Sequence, residues 1–150
     1  MPAETDLIKL YSQRILALAA ETPHLGRLED AGGSSRRRSP LCGSTVTVDV
    51  TMADGRIAGF GQEVKACALG QAAAAVVGAN AVGRRRDEIE AARDALRAML
   101  KGGGDTPGPP FDELRVLEPA RDYKNRHASI MLSLEATLEA VDEAEGAGGA

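Results

Sequence analysis

The chain has 150 residues, and 18 lysines and arginines against 22 aspartates and glutamates give a net charge of −4. Because proteins that bind nucleic-acid phosphates need an excess of basic residues, this net negative charge argues against nucleic acid as the main partner. Hydrophobic residues make up 43% of the chain, enough for a core, whereas aromatic residues make up only 3% and favour no stacking platform for bases or sugars. The apolar stretches are shorter than the roughly 20 residues of a membrane span, and the N-terminus lacks the pattern of a signal peptide, so we expect a cytoplasmic protein without a membrane anchor.

The first third of the chain predicts one helix and a loop. Apolar residues recur at helical spacing over 3–21, which indicates an amphipathic helix. The segment 26–40 is rich in glycine and serine and is expected to be a loop, with Leu28 as a candidate for a short edge strand. Three consecutive arginines, Arg36–Arg38, are interpreted as a solvated part of this loop rather than as a binding patch.

A β-hairpin is predicted next. Apolar and polar residues alternate strictly over Thr45–Met52, which is typical of a half-buried strand. Asp54 and Gly55 predict a tight turn, because both central residues of such a turn must tolerate a positive φ. Arg56–Ala66 then returns as the second strand, and its two glycines suggest a bulge or close packing.

The rest of the chain is predicted to be helical. An alanine-rich segment from Cys67 to Gly83 reads as a buried helix packed on the sheet. A second helix, for which Asp87 is a candidate cap, runs to about Lys101 and is followed by a glycine- and proline-rich loop. The last helix is expected over Asn125–Asp142, before a tail that we predict to be disordered over 143–150.

Strands followed by helices are typical of the α+β class, here a small antiparallel sheet with helices packed on one face. The length suits one domain, and the segment after the glycine- and proline-rich loop is too short for a core of its own. We therefore predict a single domain over residues 1–150.

The chain has two cysteines, Cys42 and Cys67, too few for the disulfide framework of a small secreted domain. One precedes the hairpin and the other follows it, so the hairpin brings both to the same end of the sheet. Cys67 also begins a helix, where the partial positive charge favours a thiolate. Two such thiols suit a soft metal ion or an attacking thiolate, but small buried hydrophobic residues are an equally open interpretation.

His127 opens the last predicted helix and is a candidate third ligand if that helix start meets the two thiols. A lone histidine is more often a surface or core residue than a ligand, and His24, in the turn after the first helix, is interpreted as a surface residue. The sequence holds no phosphate-binding loop, dinucleotide fingerprint, nucleophile elbow or zinc-protease motif, so no catalytic residue is assigned.

Three segments together resemble a known family. They are Leu41-Cys42-Gly43 before the hairpin, the run from Lys65 to Ala72 after it, and Arg126-His127-Ala128-Ser129-Ile130 near the end. The combination is similar to the iron–sulfur cluster scaffold family of IscU, SufU and the N-terminal domain of NifU, over nearly the whole chain. The long stretch between the second and third segments is more similar to the SufU branch than to the IscU branch.

The resemblance implies a SufE/NifU-like α+β domain with a three-stranded antiparallel sheet. In the family, three cysteines and an aspartate at one end of the sheet hold a transient [2Fe–2S] cluster, or zinc. Sulfur arrives from a cysteine desulfurase, and the cluster passes to acceptor apo-proteins, so the resemblance implies a scaffold rather than an enzyme. The family's first and second cysteines fall on Cys42 and Cys67.

The sequence departs from the family pattern at the other two ligands. Ala128 stands at the third cysteine and Ser44 at the aspartate, and the chaperone-docking motif LPPVK is absent. Cys42, Cys67 and His127 remain as ligands and leave one position open for a thiol from a partner or a small molecule. Such a site suits a labile cluster or an iron ion, and it would also hold zinc. Three ligands per chain would also allow a homodimer to share a cluster. A zinc-dependent sulfurtransferase and a non-catalytic adaptor that kept the fold are the alternatives.

Overall fold

The computed structural model describes residues 12–40, 43–102 and 104–149, with side chains as far as residue 146. The elements follow one another along the chain as α1 Gln13–Ala20, β1 Gly33–Arg38, β2 Thr45–Ala53, β3 Arg56–Lys65, α2 Ala68–Asn80, α3 Arg86–Leu100, a 3₁₀ helix Asp112–Asp122 and α4 Lys124–Gly149. The predicted α+β class is confirmed. Part of the first predicted helix, residues 3–11, lies outside the described residues.

Within the described residues the sheet has three strands, paired antiparallel in the order β1–β2–β3. Val46, Val48 and Val50 of β2 are fully buried, since the strand alternates and this face lies against the helices. The turn between β2 and β3 is the predicted one: Asp54 and Gly55 have φ values of 54° and 77°. A register shift beside Thr51 forms the bulge that the glycines of β3 suggested.

The segment predicted to be a loop over 26–40 contains a strand instead. Arg36–Arg38 form the second half of β1, at an edge of the sheet, where Arg36 pairs with Thr47 and Arg38 with Thr45. Backbone pairing with β2 and polar contacts of Ser34 and Arg37 hold this edge strand. Its sequence of glycine, serines and arginines therefore carries no apolar alternation from which a strand could be predicted. Leu28 lies outside the strands and donates its backbone N–H to Asp49.

Helix α4 covers the buried face of the sheet and packs on β1 and β2. Its apolar residues, including Ile130, Leu134 and Val141, are buried as predicted. It continues to Gly149 rather than ending at Asp142, because Ala144 is still buried against the sheet edge at Gly32 and Gly33. The division into one domain over residues 1–150 with a tail at 143–150 stays a prediction.

The other helices form a layer around α4. Helix α2 packs mainly between α1 and α4, and makes fewer contacts with the sheet, contrary to the prediction that it lies on the sheet. Helix α3 is capped by Arg85 rather than by Asp87, since the carboxylate of Glu88 accepts the backbone N–H of Arg85 at 3.0 Å. No described helix has both the length and the apolar character required to cross a membrane.

Candidate functional site

Cys67 lies where the sheet passes into a helix. Strand β3 ends at Lys65, and Cys67 is the N-cap residue of α2, with an extended backbone at φ −66° and ψ 170°. Its side chain is half-buried and is a free thiol. The prediction that Cys67 stands at a helix N-terminus is confirmed, and the thiol therefore lies near the positive end of the helix dipole.

The turn between β1 and β2 occupies the same end of the sheet. The backbone N–H of Ser39 donates to the carbonyl of Ser44 at 2.8 Å, and the N–H of Gly43 donates to the carbonyl of Ser39 at 3.0 Å. Thr45, directly after the turn, pairs with Lys65 at the end of β3. Cys42 falls between Ser39 and Gly43 in the sequence, but it lies outside the described residues.

Two serine hydroxyls connect the turn to the Cys67 thiol. Ser129 of α4 donates to the hydroxyl of Ser44 at 3.0 Å, and the Ser129 oxygen lies 3.5 Å from the Cys67 sulfur. Both serines are buried. Gly70 of α2 permits this approach, because a Cβ there would lie 2.6 Å from the Ser129 oxygen. Three elements that are distant in sequence thus meet in one polar cluster.

His127 lies in the first turn of α4, half-buried. Its Nε2 is 3.0 Å from the carbonyl oxygens of both Ala120 and Arg121, at the end of the 3₁₀ helix. Since both neighbours are acceptors, Nε2 carries a hydrogen. In the neutral ring, Nδ1 is then the nitrogen with a free lone pair.

The described residues bring Cys67 to Ser129, but they include no direct contact between Cys67 and His127. Nor do they include three histidine, cysteine or acidic side chains close enough together to hold one metal ion. The predicted set of Cys42, Cys67 and His127 depends on a residue outside the described part of the chain and stays a prediction.

A groove opens beside His127, between the end of β1, the end of α3 and the start of α4. Its volume is about 320 Å³. Leu100, Met131 and Leu132 form a buried apolar floor. The charged side chains among the described residues that line it are Arg37, Arg38, Arg97, Lys101 and Glu135.

The charges of this groove are only partly balanced. Glu135 lies 3.4 Å from Arg97 and 3.7 Å from Arg37, and Arg37 also pairs with Glu139 at 2.8 Å. Arg38 and Lys101 have no carboxylate partner within the described residues. The groove is therefore cationic, although the chain as a whole is acidic.

A buried carboxylate anchors the opposite face of the sheet. Asp49 of β2 is 1% exposed and accepts hydrogen bonds from Arg27 at 2.6 Å, from the Leu28 backbone at 3.0 Å and from the Ser34 hydroxyl. Burial by itself would raise the pKa of Asp49, but these hydrogen bonds outweigh it and hold the pKa below its usual value. The contacts fix the segment after α1 and strand β1 on β2.

A three-stranded antiparallel sheet covered by helices, with a cysteine at the N-cap position of α2, places the chain among small α+β proteins. A NifU-like N-terminal protein from Brucella abortus is 42% identical to the chain, with a TM-score of 0.91, and the match covers 94% of this chain and 98% of that one. The chain therefore belongs to the iron–sulfur cluster assembly scaffold family of NifU, IscU and SufU, as its sequence predicts.

One further relative agrees with this assignment, and one further structure shares the fold. The iron–sulfur cluster assembly scaffold protein IscU of Thermotoga maritima is 27% identical over 123 residues, which are 81% of this chain and 82% of that protein. A structure described as a SUF-system scaffold protein from Fervidobacterium islandicum shares the fold, with a TM-score of 0.79 at 20% identity, over 89% of this chain and 98% of that one. No model of a known protein family matches the chain.

Two parts of the site are not predicted by the sequence. Ser129 lies in the family-like segment, and the only signal of its role is that it is a polar residue among the buried positions of a helix. The prediction of a solvated loop for Arg37 and Arg38 is wrong, and no signal in the sequence alone brings them to the ends of α3 and α4.

Proposed function

We propose that the protein is a non-catalytic scaffold that transiently binds iron or a [2Fe–2S] cluster as its cargo. Cys42, Cys67 and His127 would bind the cargo, a cysteine desulfurase would supply the sulfur, and acceptor apo-proteins would receive the cluster. The observation that carries this proposal is the polar cluster of Ser44, Ser129 and Cys67. It ties the turn that contains one cysteine to the helix start that carries the other.

The chemistry of the two thiols supports iron or a cluster as the cargo. Thiolate is the protein ligand that iron–sulfur clusters prefer. A thiolate at a helix start is stabilised by the dipole, and Cys67 has that position. The Ser129 hydroxyl lies 3.5 Å from the sulfur. When Cys67 is a thiolate, Ser129 can turn its one O–H from Ser44 to the sulfur and orient it.

The contacts of His127 support it as the nitrogen ligand. Metal-binding histidines usually donate their other ring N–H to a carbonyl or carboxylate, which fixes the ring and its tautomer. His127 makes such contacts through Nε2 to the carbonyls of Ala120 and Arg121. Nδ1 would then be the ligand atom.

A chain that supplies two thiols and one imidazole holds a cluster less firmly than four thiolates would. Ala128, next to His127, contributes no ligand atom. Weak ligation favours release, which suits a protein that passes its cargo on, and it would also allow two chains to share a cluster. A cytoplasmic location remains a prediction.

A zinc-dependent sulfurtransferase is the less favoured alternative. The IscU relative of Thermotoga maritima and the SUF-system structure of Fervidobacterium islandicum are both called cluster assembly scaffold proteins, which favours the scaffold. An adaptor that kept the fold would bind partner proteins but neither iron nor a cluster. Bound iron or a bound cluster therefore distinguishes the scaffold from the adaptor.

Anaerobic reconstitution tests the proposal. Purified chain is incubated with ferric iron, sulfide and a thiol reductant, desalted, and examined for bound iron, bound sulfide and visible absorption. We expect a coloured product from the wild type, and loss of at least nine-tenths of the colour in Cys42→Ala and in Cys67→Ala.

Ser133→Ala is the matched control, because Ser133 lies one turn beyond Ser129 on α4, is buried, and has a hydroxyl without a hydrogen-bond partner among the described residues. It should retain the colour of the wild type. A colourless, iron-free wild type would refute the scaffold function, and zinc that co-purifies with the chain and resists replacement by iron would favour the alternative.

A further inference from the structure

The groove beside His127 combines apolar and cationic residues that have no role in the proposed function. It joins a buried apolar floor, formed by Leu100, Met131 and Leu132, to a cationic rim. Its volume of about 320 Å³ lies at the small end of the range of about 300–1,000 Å³ found for small-molecule sites. A compact, amphipathic anion fits both the size and the chemistry.

The groove also adjoins the predicted ligands. His127 and Ala128 lie in its wall on one side, and Ser39 and Pro40, which lead into the turn that contains Cys42, lie on the other. The chain supplies three ligands for the cargo, and a cluster of this type takes four. The side chain of Ala128 ends at a methyl group, so a fourth ligand atom on this side would have to come from outside the chain.

We propose that the groove binds a carboxylate-bearing, low-molecular-weight thiol, whose sulfur is the external ligand of the cargo. This inference rests on the proposed scaffold function. The carboxylates pair with Arg38 and Lys101, which have no carboxylate partner within the described residues, and the apolar part lies on the floor. On binding, the thiol releases its proton to solvent and its sulfur donates a lone pair to iron, so no electron is transferred.

Binding is tested first without metal, using S-methylglutathione, which keeps the carboxylates of glutathione but cannot bind iron through a thiolate. Calorimetric titration of the metal-free chain should give saturable binding. Arg38→Gln and Lys101→Gln should each weaken it at least fivefold. Arg115→Gln is the matched control, because Arg115 is also exposed, has no ion-pair partner among the described residues, and does not line the groove. Absence of saturable binding, or equal affinity in all variants, would overturn the proposal.

The role of the sulfur is tested by reconstitution with iron and sulfide in the presence of glutathione or 2-mercaptoethanol. The wild type should retain severalfold more cluster with glutathione, Lys101→Gln should lose this advantage, and Ala128→Cys should retain the cluster with either thiol. Equal retention by the wild type with both thiols would overturn the proposal.

The two experiments separate failure of this inference from failure of the scaffold function. If no thiol supports a cluster while S-methylglutathione still binds, the scaffold function fails, and the groove is an anion site without a role as a source of ligand. If an aspartate-rich peptide binds the metal-free chain and S-methylglutathione does not, the groove is a docking surface for an acidic protein segment, and the small-thiol proposal is wrong.

Discussion

Ser44 and Ser129 are separated by 85 residues in sequence, yet their hydroxyl oxygens lie 3.0 Å apart in the interior. The pair joins the turn between β1 and β2 to α4, and Ser129 extends the connection to the Cys67 sulfur at 3.5 Å. In the family pattern, Ser44 stands where an aspartate is expected. A neutral hydroxyl pair there holds the turn without adding a negative charge to the polar cluster at Cys67.

Ser129→Ala should loosen the Cys67 thiol without unfolding the protein. The change removes the hydroxyl that contacts Cys67 and leaves the buried Ser44 oxygen without this partner, at a cost of about 1 kcal/mol in the free energy of unfolding. We expect reconstituted iron to pass to a chelator severalfold faster than from the wild type. The same release assay on Ser133→Ala should give the wild-type rate, and an unchanged rate in Ser129→Ala would assign Ser129 a purely structural role.

His127→Gln tests the nitrogen ligand. Glutamine retains an N–H donor for the carbonyls of Ala120 and Arg121 but offers no ring nitrogen to iron. Removal of a residue that only orients a ligand typically weakens metal affinity by roughly 10- to 100-fold. Loss of the ligand itself should weaken iron affinity by at least this much, with little change in melting temperature. His24→Asn is the control, since asparagine tolerates the positive φ of 57° at this position. Equal iron affinity in the two variants would remove His127 from the ligand set.

The parts of the fold and of the site that could be predicted from the sequence are those that depend on residues close together in the chain. The alternation of Val46, Val48 and Val50 predicted β2 because burial on one face leaves its period in the sequence. Strand β1 had no such signal, since an edge strand of serines and arginines is held by backbone pairing. The helix start at Cys67 was local and was predicted, whereas the contact of Ser129 with Cys67 spans 62 residues and depends on how α4 crosses α2.

Gly33→Ala should destabilise the fold by disturbing the contact between β1 and α4. A Cβ at this position would clash with the carbonyl oxygen of Ala140, a backbone atom that cannot rotate away. Overpacking of this kind costs about 1–3 kcal/mol, which should appear as a lower urea midpoint. Gly32→Ala is the neighbouring control, because its Cβ would make only ordinary contacts at 3.6 Å. Equal midpoints for the two variants would contradict the close packing of β1 on α4.

Asp49→Asn should remove an acid-sensitive part of the stability. The native pKa of Asp49 is lowered, so its carboxylate stabilises the fold above the unfolded-state pKa of about 3.9, and this contribution is lost as the pH falls through the lower native pKa. The variant loses charge-assisted hydrogen bonds from Arg27 and Ser34, which should cost about 2 kcal/mol at pH 7.

Urea unfolding of the wild type and Asp49→Asn at several pH values measures this contribution. The difference in the free energy of unfolding should be constant between pH 5 and 7, roughly, and should shrink below about pH 4. Asp54→Asn, the same change in the exposed turn between β2 and β3, should stay close to the wild type throughout. If the difference between the wild type and Asp49→Asn grew on acidification, the folded protein would favour the protonated form of Asp49. The contact with Arg27 would then not stabilise the folded protein.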